Sequence, residues 1–420
     1  MTTKNFEPIK GFRDYDGKEA EKKAVIKEII RQAFERYGFG PAETPVIESE
    51  EFVKGDNAND EAVSDIYKLK DKGDRKLALR YEFTFQLKRL MNNKKLPFKR
   101  YQIGELFRDE PVGPNRFRQF TQCDADVVGS TMKDEAEIFA MAKAIFDSLK
   151  IDFVIYFNNR KLLNEILDEL GIKNKSEVIK EIDKLDKLPE KEVLANLKKF
   201  GAEEVLKIAK KSEDFFKKYK AYEEIEELQK LCRVYGVEVK FSPTLARGLS
   251  YYNGTVFEIK TKKMCETIVA GGSYEFAPLP TGMTKGLGVP QGGASIPEGH
   301  KTSSPSRSER RPQNLGGNVQ CTGISFGLER LCAVANLIVD LEKYLIVSLG
   351  QDKTAIKLAQ KLRKQGKIVG MYYGKPSRAM EYANSYSFKK VIFVGAREVK
   401  ERKFKVKIMK TGKESLLNIK

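Results

Sequence analysis

Two long runs of alternating residues constrain the fold more than any other feature of the chain. Lys99–Arg108 reads K-R-Y-Q-I-G-E-L-F-R and Arg116–Gly129 reads R-F-R-Q-F-T-Q-C-D-A-D-V-V-G. A break rich in Pro, Gly and Asn separates them at 111–115. Strands of this length joined by a turn predict a long antiparallel hairpin. Side chains alternate across a strand, so positions 118, 120, 122, 124 and 126 share one face. Gln122, Asp124 and Asp126 therefore point the same way. The hairpin also brings Arg108 and Glu110, at the end of its first strand, to Arg116 and Arg118, at the start of its second. A plain core strand does not carry guanidiniums, amides and carboxylates on one face. One reading is a surface charge ladder, worth little energetically. The other is the wall of a pocket for a ligand with both phosphate and cationic or donor groups.

The flanking segments supply layers for such a sheet. Residues 17–37 predict an amphipathic helix, with Ile26, Ile29, Ile30, Ala33, Phe34 and Tyr37 on one stripe. Gly38, Gly40, Pro41 and Pro45 stop it. Residues 77–90 read as a short strand running into a helix. Residues 160–235 are rich in Lys, Glu and Leu, with Pro189 as their one proline, and read as a helical insertion. Strands are expected again at 238–242 and 254–260, then in E-T-I-V-A-G-G-S-Y-E. The segment 277–317 lacks hydrophobic period and reads as a flexible loop, or as a basic arm presenting Lys301, Arg307, Arg310 and Arg311. G-I-S-F-G-L-E-R-L-C-A-V-A reads as a short strand or turn before an apolar helix. From 344 onward strands and helices alternate, which predicts a small α/β domain joined at Leu341–Lys343. No internal repeat is seen.

Composition narrows the chemistry. A length of 420 residues suggests two to three domains, and 41% hydrophobic residues suffice for real cores. The one histidine, His300, rules out multi-histidine metal sites and disfavours Ser-His-Asp or Cys-His catalysis. The chemistry must therefore run on carboxylates, arginines, tyrosines and amides. Five unpaired-looking cysteines predict reduced thiols and a cytoplasmic protein. No signal peptide is expected at 1–10, and no apolar run approaches the roughly 18 residues that span a membrane. The net charge is +18, and residues 341–420 hold 20 Lys/Arg against 6 Asp/Glu, or +14. That concentration suggests a nucleic-acid partner, although a merely soluble lysine-rich domain would look similar.

Further residues could join the hairpin. Glu82 and Thr84, in L-R-Y-E-F-T, add a carboxylate and a hydroxyl. Arg330 opens a helix and could meet a phosphate there. Arg247–Ile259, R-G-L-S-Y-Y-N-G-T-V-F-E-I, is either an ordinary strand edge or a pocket for an anion and a flat polar ligand. No G-x-x-x-x-G-K-[ST] loop is present, so a P-loop is not supported.

Taken together, these motifs resemble the class II aminoacyl-tRNA synthetases, and the histidyl-tRNA synthetase family in particular, over nearly the whole chain. F-G-P-A-E-T-P-V-I-E resembles motif 1, F-R-D-E with R-F-R-Q-F motif 2, and G-I-S-F-G-L-E-R-L motif 3. L-R-Y-E-F-T, R-Q-F-T-Q-C-D-A-D, R-G-L-S-Y-Y-N-G-T-V-F-E and G-G-S-Y-E resemble the histidine-specific segments. The resemblance implies an α+β fold: an antiparallel sheet core flanked by helices, a helical insertion, and a C-terminal α/β anticodon-binding domain. It divides the chain into a core at 1–159 and 236–340, an insertion at 160–235 and an anticodon domain at 341–420. It implies ATP-dependent ligation of histidine to tRNA(His) through a histidyl-adenylate, with Mg2+ accompanying ATP and with no closed metal site. It also implies a homodimer paired through motif 1 and no membrane association. Arg108, Glu110, Arg116 and Arg330 would hold ATP. Glu82, Thr84, Gln122, Asp126, Tyr251, Tyr252 and Tyr274 would line the histidine pocket. Arg247 would bear on the α-phosphate, so Arg247 and Arg108 are the catalytic candidates.

The chain departs from the family pattern in three places. Ser250 stands where Asp is usual, and G-G-S-Y-E where G-G-R-Y-D is usual. An acidic and a basic side chain are thus absent together, which suggests that Ser250 and Ser273 lie near each other. The stretch between Tyr274 and Gly323 is about 30 residues longer than expected. Two other readings remain: a non-catalytic paralogue acting as a regulatory subunit in histidine biosynthesis, and an RNA-binding protein built on an inactive synthetase.

Overall fold

The computed structural model describes residues 6–54, 61–92, 94–186, 188–247, 251–276 and 318–417. The expectations for Ser250, His300 and the 277–317 segment lie outside the described residues. The chain divides into two compact units: Met1–Asp14 with Lys23–Leu337, and Tyr15–Lys22 with Ile338–Lys420.

The larger unit is built on an eight-stranded sheet. Its strands are β1 (Gly40–Pro41), β5 (Phe98–Phe107), β6 (Gln119–Val128), β7 (Phe153–Asn159), β8 (Val239–Phe241), β9 (Tyr252–Thr261), β10 (Met264–Phe276) and β11 (Val319–Gly327). Their order is β1-β5-β6-β11-β10-β9-β7-β8, antiparallel except for the outermost pairs β1·β5 and β7·β8. A three-stranded sheet sits apart: β2 (Ile47–Ser49), β4 (Lys76–Leu79) and β3 (Lys68–Lys70).

The expected hairpin is β5·β6, in register from Phe98↔Val128 to Phe107↔Gln119. Its second strand begins three residues later than its sequence suggests. Arg116 closes an isolated bridge with Gly113, and the Arg118 N–H turns away to the Gly11 carbonyl. Pro114 has no N–H to donate, so the ladder cannot continue through the turn. The E-T-I-V-A-G-G-S-Y-E segment is longer than expected. It forms most of β10, a strand of 13 residues paired on both sides.

Alternation along β6 gives the sheet two unlike faces. Cys123, Ala125 and Val127 enter the main hydrophobic core. Helices α1 (Gly17–Arg36) and α5 (Met132–Ser148) contribute Ile26, Ile30, Phe34, Phe139, Ile145 and Phe146 to it. Each such side chain stabilises by roughly 1.5–3 kcal/mol on full burial. Thr131 and Asp134 form a capping box that fixes the start of α5. Phe139 meets Phe257 of β9 edge-on at 4.7 Å. The opposite side of β6 carries Gln122, Asp124 and Asp126.

Short helices α2 (Glu50–Lys54), α3 (Glu61–Ser64) and α4 (Thr84–Leu90) precede the hairpin. Residues 160–235 are helical, as expected, but they serve two cores. Helices α6 (Arg160–Glu169), α7 (Lys175–Ile182), α8 (Glu190–Lys198) and α9 (Glu204–Ala209) build a separate core around Leu163, Ile179, Val193 and Leu197. Helices α10 (Glu213–Phe216) and α11 (Tyr222–Val234) pack Phe216, Ile225, Leu228 and Cys232 into the main core instead. Helix α12 (Leu328–Val334) follows β11.

The smaller unit has a five-stranded sheet. Strands β12 (Lys343–Ser348), β13 (Ile368–Tyr373) and β14 (Lys390–Val394) are parallel, in the order β13-β12-β14, and β15 (Lys405–Ile408) and β16 (Glu414–Leu416) extend it antiparallel. Helices α13 (Asp352–Lys364), α14 (Pro376–Ser385) and α15 (Ala396–Glu401) complete it. The α/β alternation matches expectation; α15 and β16 are additions to it.

Candidate active site

A cavity of about 910 Å3 opens on the polar side of β6. All twelve candidate residues line it: Glu82, Thr84, Arg108, Glu110, Arg116, Gln122, Asp126, Arg247, Tyr251, Tyr252, Tyr274 and Arg330. They come from α4 and the loop before it, from the hairpin and its turn, from β9 and the segment before it, from β10, and from α12. The sheet is what gathers them.

One group of cavity residues is cationic. Arg108 donates from Nε to the Tyr81 carbonyl at 3.1 Å, and its guanidinium lies over the Phe120 ring at 5.2 Å. Both contacts hold a charge that would otherwise sweep through solvent. Arg116 reaches Glu110 at 2.5 Å. Burial raises the Glu110 pKa, but Arg116, Arg108 and Arg330 outweigh it and hold the carboxyl below its ordinary range. Glu110 is thus an anion set among three guanidiniums. Arg330 donates from Nη1 to the Thr267 carbonyl at 2.6 Å. The Thr267 hydroxyl donates in turn to Glu258 at 2.7 Å, and Glu258 pairs with Arg247 Nη1 at 2.6 Å. Burial works against the Arg247 charge, while Tyr252 and Glu258 more than offset it, so its pKa is raised. Its Nε is buried without a hydrogen-bond partner.

A second group is a cluster of tyrosines and carboxylates. Tyr251, Tyr252 and Tyr274 form a mutual cluster with ring centroids 4.7, 5.5 and 6.5 Å apart. Tyr274 donates to Asp126 at 2.5 Å, and the other Asp126 oxygen pairs with Arg100 at 2.8 Å. Burial raises the Asp126 pKa against the opposing pull of Arg100 and Tyr274. Desolvation likewise pushes Tyr251 and Tyr274 well above the usual tyrosine range. These phenols therefore stay protonated and act as donors. Backbone approach is tight here. A Cβ at Gly323 would lie 2.2 Å from Asp126 Oδ1, and one at Gly271 would lie 2.1 Å from the Gly323 carbonyl. Backbone bars a side chain at Gly271, while one at Gly323 would have to displace the Asp126 carboxylate.

Several cavity residues were not among the candidates. Asp124 lies on the same strand face and accepts from Ser325 at 2.5 Å. Burial and the neighbouring Asp126 raise its pKa to about 7. Its place in the alternation was the available signal. Glu258 lies six residues after Tyr252, on the same β9 face, and could have been found the same way. Lys180, Asp183 and Lys184 of the helical insertion also reach the cavity; nothing local in their sequence marks them.

The expected proximity of Ser250 and Ser273 is untested because Ser250 lies outside the described residues. Ser273 itself is buried and donates to Glu135 of α5 and approaches Thr322 at 3.3 Å. The carboxylate at this departure from G-G-R-Y-D is therefore Glu135, which the sequence reading did not consider. Burial raises its pKa. Cys123, Cys232, Cys321 and Cys332 are free thiols. No cluster of three or more His, Cys, Asp or Glu suited to a metal occurs among the described residues. No described helix is long and apolar enough to cross a membrane.

Residues 11–281 match the family model for histidyl-tRNA synthetase, and residues 343–420 match the model for an anticodon binding domain. Histidine–tRNA ligase 1 of Bacillus cereus is 33% identical, with 97% of this chain and 96% of the relative covered. The histidine–tRNA ligase of Clostridium acetobutylicum is 32% identical, covering 93% and 92%. The crystal structure of histidyl-tRNA synthetase from a Nostoc species superposes with a TM-score of 0.78 at 25% identity, over 98% of this chain and 97% of that one. An ATP phosphoribosyltransferase regulatory subunit/histidyl-tRNA synthetase from Bacillus halodurans shares the fold, with a TM-score of 0.71 at 19% identity, over 94% and 99%.

Proposed function

The chain belongs to the histidyl-tRNA synthetase family, and from that premise we propose that it ligates histidine to tRNA(His) in two steps, using ATP. The observation that carries the site assignment is the convergence of all twelve candidates on one cavity, lined by guanidiniums and by tyrosines and carboxylates.

In the first step the histidine carboxylate attacks the α-phosphorus of ATP. The new O–P bond forms as the bond to pyrophosphate breaks, giving histidyl-adenylate. No protein nucleophile is needed; the step requires positioning and fixed positive charge. Arg247 and Arg108 are the catalytic residues in this reading. A guanidinium supplies charge that cannot be titrated away and directed donors that a phosphoryl oxygen can accept. The place of Arg247 on the cavity wall, with its Nη1 held by Glu258, supports that role. Glu110, Arg116 and Arg330 bind the nucleotide. Mg2+ neutralises phosphate charge and would enter with ATP. Asp126, Glu82 and Gln122 offer acceptors to the ammonium and imidazole of histidine, while Tyr251, Tyr252, Tyr274 and Thr84 shape the wall around the ring. In the second step a terminal ribose hydroxyl of tRNA attacks the adenylate carbonyl and releases AMP.

The basic unit at 341–420 meets the anticodon arm in this reading, and the core lies at 1–159 and 236–340 around the insertion at 160–235. The protein is a cytoplasmic homodimer joined near motif 1, where Val46 and Ile47 are exposed on the short β2 edge. Histidine-dependent ATP–pyrophosphate exchange tests the function, with other amino acids as controls. Arg247→Ala should lower exchange by about 10²–10³-fold and leave tRNA binding intact. A folded protein that gives no exchange with histidine would favour the regulatory or RNA-binding reading.

A further inference from the structure

The backbone that carries Arg247 is held at every second carbonyl by two side chains from one junction. Asn158, fully buried at the end of β7, donates from Nδ2 to the carbonyls of Pro243 at 3.1 Å and Leu245 at 2.9 Å. Arg160, the first residue of α6 and 9% exposed, donates from Nη1 to the carbonyl of Arg247 itself at 3.3 Å. Between these anchors Ala246, 3% exposed, packs into the core of the helical insertion beside Leu163 and Ile179. Asn159 caps α6 by accepting from the Lys161 N–H at 2.9 Å, which fixes where the helix and its Arg160 begin. Burial lowers the Arg160 pKa, and Asp183 of the insertion opposes this; the same carboxylate acts on Arg247. A buried arginine whose outlet is a backbone carbonyl is costly unless that bond matters. Neither Asn158 nor Arg160 lines the cavity, so neither can act on substrate directly.

We infer that Asn158 and Arg160 are positioning residues for the Arg247 guanidinium. Through them, and through Ala246, the helical insertion sets where that charge stands. The inference rests on the reading of Arg247 as catalytic. Rate stabilisation by a fixed donor is sharply distance-dependent, and a shift of about 1 Å costs on the order of 10²-fold.

The test is a double-mutant cycle in histidine-dependent ATP–pyrophosphate exchange, with the full-length protein and melting curves for every variant. Arg160→Ala should lower kcat by roughly 10- to 100-fold while the KM for histidine stays within about twofold. Arg160→Lys should restore part of the loss, because it keeps a cationic donor at the same carbonyl. In an Arg247→Ala background, adding Arg160→Ala should change kcat less than about twofold, since there is no guanidinium left to place. Additive losses in the two backgrounds would overturn the inference, because a merely structural arginine acts whether or not Arg247 is present. An Arg160→Ala protein with unchanged kcat would overturn it too. If that variant fails to fold, Arg160→Lys and Asn158→Ser carry the same two comparisons. Near-normal exchange by Arg247→Ala alone would instead sink the catalytic reading of Arg247, and the inference with it.

Discussion

Replacing Asp126 should separate its structural work from its work on substrate. Arg100 is 1% exposed. Its Nη2 pairs with Asp126 at 2.8 Å and donates to the Phe83 carbonyl at 3.1 Å, while Nε and Nη1 are buried without partners. Asp126→Ala therefore strands a guanidinium that is already poorly satisfied, at a cost of about 3–5 kcal/mol. Tyr274 loses its acceptor as well, typically another 1–3 kcal/mol, although the terms belong to one network and do not simply add. Against a domain stability of about 5–15 kcal/mol this is a large share. At roughly 2–4 °C per kcal/mol, the melting temperature should fall by about 10–15 °C. Asp126→Asn keeps one acceptor oxygen, enough for either Arg100 or Tyr274 but not for both, and should lose about half as much. The decisive variant is Arg100→Met with Asp126→Leu, because a buried ion pair replaced by apolar side chains is often neutral or stabilising. Calorimetry should show melting restored most of the way, while histidine-dependent exchange stays lost. Melting of Asp126→Ala within about 3 °C of the parent would refute the energetic argument. Normal exchange by the restored double variant would refute the assignment of Asp126 to the histidine pocket.

Three further outcomes follow from the site. Gly323→Ala puts a methyl group 2.2 Å from Asp126 Oδ1, so the carboxylate must move; the KM for histidine should rise by more than about tenfold, and an unchanged KM would show that the carboxylate gives way freely. Asp124 titrates near 7 in the fold, because of burial and Asp126, against an ordinary value of 3.8. Between those values the folded state holds a proton that the unfolded chain lacks, so stability falls as pH rises from about 4 to 7 and the penalty is complete above 7. Asp124→Asn cannot ionise, so its melting temperature relative to the parent should climb between pH 5 and pH 8; a flat difference would mean the group titrates normally. The charge of +14 at 341–420 should make tRNA binding weaken steeply with added KCl while ATP–pyrophosphate exchange changes little; parallel salt responses would argue against this unit as the tRNA contact.

The contrast between what sequence disclosed and what it concealed follows the range of the interactions involved. The hairpin was legible because alternation and turn chemistry act within about 30 residues. It even contained the buried ion pair, since Arg100 stands opposite Asp126 in the ladder, but the pairing needs the register, and register depends on how the turn closes. Glycine was less legible. Gly271 and Gly272 sit inside β10, where a Cβ would lie 2.1 Å from the Gly323 carbonyl and 2.5 Å from the Thr255 carbonyl respectively, and neither approach shows in the local sequence. Ser273 shows the limit most clearly. Its departure from the family pattern was visible, but its partner Glu135 lies 138 residues earlier on a helix, and no local rule connects them. The same holds for Lys180, Asp183 and Lys184, which reach the cavity because of how the insertion's helices pack. That distinction gives the insertion its interest: residues on a strand face can be predicted to meet a substrate, whereas a helix packed against the Arg247 backbone acts on chemistry it never touches.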